Sequence, residues 1–259
     1  MTLLALSFTL LFVIATMLIS VWQKLGLEKE IATGTIRSAI QLLAIGYVLQ
    51  YIFRTEHVIY LVMIISVMIG VAAWNAARRA PGMRGIVWRI ALSILTTELL
   101  MMGMLLGLNI IEPTPQYIIP LSGMTIGNAM VVAGLYVNQM RREVQSSKGE
   151  IEVLLSLGAT ASQAMQDVRK RAVKFSMIPT IDSMKTVGLV QLPGMMTGMI
   201  VAGADPVEAV RYQILIVFSF TGSAAITSML LSILSYRLML TKELQLRPIP
   251  EGTLLGSNT

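Results

Sequence analysis

The chain has 259 residues, 55% of them hydrophobic and only 13% charged, with a mean hydropathy of +0.72; so little charge cannot clothe a soluble domain, and a polytopic membrane protein is expected. The formal net charge is +6, yet the basic residues stand beside apolar runs and are not interleaved with aromatics, so a nucleic-acid partner is not expected. There is no cysteine, which excludes disulfides and thiolate metal sites.

The first apolar run, Leu3 to Trp22, is long enough to cross a hydrocarbon layer of about 30 Å. No basic residue precedes it, while Lys24 and Lys29 follow it. A signal peptide carries its positive charge ahead of its apolar core, so an uncleaved span with an external N-terminus is expected. The second run, Ile36 to Phe53, holds Gln41 and Gln50 and follows the charged LEKE segment. The third, His57 to Ala77, gives way to Arg78, Arg79, Pro81, Gly82 and Arg84, a turn-rich basic loop expected in the cytoplasm. His57 itself is placed at the outer membrane edge.

The fourth run, Ile86 to Ile111, contains Arg89 and Glu98 and is stopped by Glu112, Pro113 and Pro115. The fifth, Tyr117 to Val137, includes Gly123, Gly127, Asn128 and Gly134, small residues that permit close approach of another helix. A polar cytoplasmic segment, 139–178, separates it from the sixth run, Thr180 to Ala202, which is interrupted at Leu192-Pro193-Gly194. The seventh, Val207 to Leu240, exceeds a simple span and is expected to protrude inward. The expectation is an all-α protein with seven transmembrane helices over residues 1–242, N-terminus outside and C-terminus inside. Residues 243–259, with Pro248, Pro250, Gly252 and Gly256, are expected to form a disordered cytoplasmic tail. Of the 20 lysines and arginines, all except Arg54, Arg211 and Lys185 fall in the cytoplasmic segments or at their borders, as the positive-inside rule requires of this orientation.

Within the cytoplasmic segment, Ile151, Leu154 and Leu155 fall at i, i+3 and i+4, and Val153 with Leu157 makes a second apolar stripe. Gly158 is suited to close this short helix in a left-handed conformation, and Thr160 with Gln163 reads as a capping box opening the next. That next helix ends in Arg169, Lys170, Arg171 and Lys174, cations that also suit an anionic lipid surface.

No H-E-x-x-H, no paired ligands at metal spacing, and no nucleophile with a histidine partner occur, so hydrolytic catalysis is not expected. Nor is there a G-x-x-x-x-G-K-[ST] phosphate cradle; if the protein pumps, ATP is hydrolysed by another chain. Glu152 to Gly158 resembles the E-A-A-x-x-x-G coupling segment of ABC-transporter permeases, which inserts a short helix into the ATPase subunit. Glu152, Val153, Leu154 and Gly158 occupy the matching positions. The pattern departs afterwards, where an apolar-Pro ending is replaced by Val168-Arg169-Lys170-Arg171. An amphipathic helix lying on the bilayer accounts for the same residues equally well.

A broader resemblance spans nearly the whole chain. The blocks AAWNA (Ala72 to Ala76), GNAM (Gly127 to Met130), LSLGAT (Leu155 to Thr160), IPTIDSMKTVGLVQLPGMM (Ile178 to Met196) and AGADPVEAVRYQI (Ala202 to Ile214) resemble the FetB/YbbM family of ABC permeases, implicated in bacterial iron export, with plant relatives connected to aluminium tolerance. The resemblance implies a transport subunit of the cytoplasmic (inner) membrane that forms a homodimer and pairs with two copies of a separate ATPase. ATP and Mg would reside on that partner, with no cofactor on this chain. The ATPase-coupling residues would be Glu150, Ile151, Glu152, Val153, Leu154, Leu155, Leu157 and Gly158.

Polar groups within apolar runs are costly and count as functional candidates. Asp182 and Lys185, at i and i+3, are expected to neutralise each other. Glu98 is open between a cation contact, a proton-dependent gate, and pairing with Arg89 or a neighbouring helix. Asn128 and Gln191 are expected either to bond across helices or, with Pro193, Gly194, Met195 and Met196, to line a translocation pathway. The Pro-Gly break frees backbone carbonyls and supplies a hinge, with Gly194 as its permissive position. The 19 methionines are soft ligands better matched to Cu(I) than to ferric iron or aluminium, so no metal site is assigned. An ABC permease for an organic solute such as a nucleotide sugar, an ATP-independent secondary carrier and a membrane scaffold remain the alternatives.

Overall fold

The computed structural model describes residues 3–52, 58–83, 85–241 and 243–247. Arg54, His57, Arg84 and residues 248–259 lie outside them, as do the expectations placed there. The described elements are helical, in two compact units, Met1–His57 and Val58–Thr259. In the first unit, α1 (Leu3–Trp22) and α2 (Glu28–Ile52) are joined by a turn in which Lys24 and Gly26 take positive φ. Ser20 fixes this turn, its hydroxyl donating to Glu28 Oε1 at 2.9 Å and accepting from the Leu27 N–H at 3.2 Å. The apolar faces of both helices stay exposed, Phe12 and Leu42 among them, as on helices that face lipid.

The second unit is a bundle of α3 (Val58–Ala77), α4 (Ile86–Gly107), α5 (Pro115–Ser146), α6 (Lys148–Ser156), α7 (Ala161–Ala164), α8 (Gln166–Thr186), α9 (Gly194–Val201) and α10 (Pro206–Ser235), closed by a 3₁₀ turn, Tyr236–Met239. Among the described residues five helices are long and apolar enough to cross a membrane: α2, α3, α4, α5 and α10 with its 3₁₀ extension. The protein is integral to the membrane.

Long α5 and α10 form the centre. Both start on a proline at N1, where its missing N–H costs nothing, and Asp205 caps α10 by accepting from the N–H groups of Val207 and Glu208 at 2.9 and 3.0 Å. Helices α3 and α4 pack on one side of this pair and α8 on the other. Small residues let α3 approach α5: Ala72, Ala73 and Ala76 are buried with Ala129 and Ala133, and the face of Gly134 lies against Arg79, whose Cδ would stand 2.9 Å from any Cβ there. A second apolar cluster joins Met102 and Leu105 of α4, Leu121 of α5, Ile216 of α10 and the half-buried Met195 of α9.

The sixth run is interrupted ahead of Gly194 as its Pro-Gly pair implies, but its bounds differ: the helix begins at Gln166 rather than Thr180, and the break opens already at Val187. Helix α8 continues through Pro179 to Thr186, and near its end Met184 Sδ accepts from Thr221 Oγ1, near the middle of α10, at 3.4 Å. The chain then turns at Gly188 (φ +84°), whose N–H donates to the Gln191 carbonyl at 2.9 Å, and resumes as the eight-residue α9 packed on α10. Eight residues extend only about 12 Å, less than half a hydrocarbon layer. The tail begins in a turn: Thr241 N–H donates to the Gln245 carbonyl and Arg247 N–H to that of Met239, and Leu246 packs on the core.

Candidate functional site

The polar segment that follows α5 is a small folded cap. Ile151 is its anchor, only 1% exposed and buried with Val144, Ala164, Met165 and Val168, while Leu155 packs beside it. Of the expected stripe, Leu154 turns away: with Val153 and Leu157 it forms an exposed apolar face, Leu157 being 80% exposed. Glu150 and Glu152 are exposed too, and Glu152 lies 3.8 Å from Lys148 one turn earlier.

Gly158 closes α6 at φ +89°, the left-handed value that favours glycine. Thr160 then opens α7 with a complete capping box, its N–H donating to Gln163 Oε1 at 2.9 Å and its Oγ1 accepting from the Gln163 N–H at 3.4 Å. The cap is tied down by Arg171 of α8, which reaches Glu143 Oε2 at 2.6 Å and Ser147 Oγ at 2.9 Å. Arg169, beside it, packs over the Tyr236 ring at 4.7 Å and donates to Ser232 at 3.0 Å, joining α8 to α10.

Inside the bundle, Asn128 donates to the Phe220 carbonyl at 2.9 Å and to Ser223 Oγ at 3.1 Å, a cross-helix bond from α5 to α10. It borders a cavity of about 190 Å³ whose α8 wall is Ser176, Pro179, Thr180, Ser183 and Met184. The other pathway candidates lie elsewhere. Gln191 is exposed and closes the turn after α8 through its carbonyl, Pro193 caps α9, Met195 packs in the cluster of Met102 and Leu105, and Met196 is half-buried. Gly194 has open space where a side chain would go and ordinary backbone, so the permissive position in this turn is Gly188 rather than Gly194. Asp182 and Lys185 do pair, at 3.2 Å, both exposed.

Helices α4, α5 and α10 share a buried polar seam that the run-by-run reading did not assemble. Thr97 and Thr227 hydroxyls meet at 2.9 Å, and Glu98 lies 2.6 Å from Thr125 Oγ1, with Asn128 and Ser223 following one turn along. Glu98 thus meets a threonine of α5 and not Arg89, which stands about 13 Å away along its own helix. The available signal was the serine and threonine content of three apolar runs, which periodicity alone does not pair. Among the described residues no three His, Asp or Glu side chains group as a metal site.

The model of the uncharacterised protein family UPF0014 matches residues 3–240. The chain belongs to the UPF0014 family. UPF0014 relatives of nearly equal length include the membrane protein YjkA of Bacillus subtilis, 47% identical over 94% of this chain and 98% of its own. Protein ALUMINUM SENSITIVE 3 of Arabidopsis thaliana is 39% identical over 92% and 87%, and the probable iron export permease protein FetB of Escherichia coli 38% identical over 90% of each chain. No solved structure matches the chain.

Proposed function

We propose that this UPF0014 member is the permease subunit of an ATP-driven exporter of the cytoplasmic membrane, that its cargo is iron or a chemically similar metal ion, and that ATP and Mg act on a separate ATPase. The observation that carries the reading is the relationship to the FetB permease across nine-tenths of both chains. The cap supports it: Val153, Leu154 and Leu157 form a compact apolar face on a helix anchored by Ile151, the form of a plug for a groove on another protein. In this reading the chain crosses the membrane seven times from an external N-terminus, the sixth crossing being α8 and α9 with the turn between them. Two copies face each other around the pathway, and the α8–α9 break is the hinge.

Proteoliposomes holding the permease and its ATPase, with the ATPase side exposed, test this. ATP-dependent movement of iron away from the ATPase side is expected. Movement of an organic solute alone, movement only toward the ATPase, or transport that persists without any ATPase chain would overturn the assignment.

A further inference from the structure

Glu98 is 4% exposed, enclosed by α4, α5 and α10. Its Oε2 lies 2.6 Å from Thr125 Oγ1. Its Oε1 has no hydrogen-bond partner; Ser122 faces the same carboxyl, yet its buried hydroxyl also completes no hydrogen bond. Buried oxygens are seldom left in this condition, because each forfeits its hydration without replacement.

The short contact competes with other acceptors for a single hydroxyl proton, that of Thr125. Its Oγ1 lies 3.1 Å from the carbonyls of both Leu121 and Ser122, the back-bond that a helical threonine ordinarily makes. Given to Glu98 Oε2, that proton leaves both back-bonds unmade; given to Leu121, it leaves the 2.6 Å approach to be bridged by a proton of the carboxyl. Thr97 one residue earlier follows the same back-bonding, its hydroxyl reaching the Ser93 carbonyl at 2.8 Å while Thr227 sits on its other side.

Charge around the carboxyl points the same way. The titratable and charged groups of the elements packed on α4 are Tyr60 on α3, then Tyr117, Tyr136, Arg141, Arg142 and Glu143 on α5, and Glu208, Arg211 and Tyr212 on α10. None of the cations among them is near. Arg89 of α4 itself is about 13 Å along the helix, Arg141 about 24 Å beyond Thr125, and Arg211 about 16 Å from Gly222, the α10 residue beside Met101. An ionised carboxylate here would lack the counter-charge that buried ions require.

We propose that Glu98, Thr125 and Ser122 form a proton-binding site within the membrane-spanning bundle. Glu98 is a neutral carboxylic acid whose Oε2–H donates to Thr125 Oγ1, while the Thr125 hydroxyl keeps its proton and donates a hydrogen bond to the Leu121 carbonyl. Departure of the proton requires a positive partner at Oε1 and the Ser122 hydroxyl. The site goes beyond the export reading and stands whether or not iron is the cargo.

Infrared spectra of the full-length reconstituted protein at neutral pH test it. The wild type is expected to show a carboxylic-acid carbonyl band that is missing in Glu98→Gln and displaced in Thr125→Val. Glu98→Gln is expected to keep the wild-type melting temperature, since its amide N–H donates where the acid O–H did, whereas Glu98→Ala lowers it. Absence of an acid band from the wild type, or a band unchanged in both Glu98→Gln and Thr125→Val, overturns the proposal. So does a carboxylate band at this position that shifts on addition of Fe(II), which would make Glu98 a metal ligand instead. If Glu98→Gln fails to fold, the Thr125→Val displacement decides.

Discussion

Arg171 of α8 reaches back to Glu143 of α5 at 2.6 Å, across 28 residues of sequence, so the stretch holding α6 and α7 is a loop of chain closed at its base by an ion pair. Gln139 orients the carboxylate from the other oxygen at 2.8 Å. A double-mutant cycle on Glu143→Gln and Arg171→Gln, read by thermal unfolding in detergent, is expected to give a coupling near 1 kcal/mol, the upper end for a partly exposed pair because the guanidinium is also held by Ser147. The reversed pair Glu143→Arg with Arg171→Glu is expected to recover part of the loss; additive single losses would show that the pair does not brace the cap.

The two sides of α6 are expected to separate stability from partner binding. Ile151→Ala removes a buried side chain and should cost about 2 to 5 kcal/mol. Leu154→Asp and Leu157→Asp change exposed positions and should leave the unfolding free energy within about 0.5 kcal/mol of wild type, yet abolish co-purification of an ATPase because an unpaired charge would enter its groove. Full ATPase binding and transport by Leu154→Asp would remove α6 from the coupling role.

At the break after α8, Gly188→Ala is expected to destabilise by about 1 to 2 kcal/mol, since its φ of +84° is disfavoured for any residue with a Cβ. Gly194→Ala, at a helical position with free space, should be neutral or slightly stabilising. Equal responses in thermal melts and transport assays would mean that the turn is not held by Gly188.

Orientation is testable against a clean background, because the chain has no cysteine. A single cysteine at Lys148 should react with an impermeant maleimide only from the cytoplasmic side, and one at Glu112 only from outside. Labelling of Lys148→Cys in intact cells would reverse the topology.

Where a feature depends on neighbours in sequence, the residues alone announced it. The apolar run Leu3 to Trp22 has the bounds of α1; Gly158 and the Thr160/Gln163 box stand where α6 ends and α7 begins; Asp182 and Lys185 pair as their spacing implies. The course of α8 was hidden because Arg169 to Lys185 mixes charge with apolar residues, and Pro179 looks like a boundary. In the structure, packing against α5 and α10 carries the helix across it. The partners of Asn128 and Glu98 were hidden for a different reason: Ser223 is 95 residues from one, Thr125 is 27 from the other, and a hydroxyl among apolar residues gives no sign of which helix it will meet.

Helix α5 runs without interruption from Pro115, whose neighbour Tyr117 stacks on Tyr212 at the start of α10, to Ser146, beside the buried Ile151. Its 32 residues make a rod of about 48 Å. A tilt imposed at one end of such a rod arrives at the other as a lateral displacement of opposite sign, scaled by the distance of each end from the pivot. Between the two ends, Gly134 lies against the side chain of Arg79, just beyond the end of α3, about three-fifths of the way toward the cap. For a tilt about that contact the arm toward the cap would be the shorter one, and a small push on α6 would become a larger excursion at the Tyr117–Tyr212 contact.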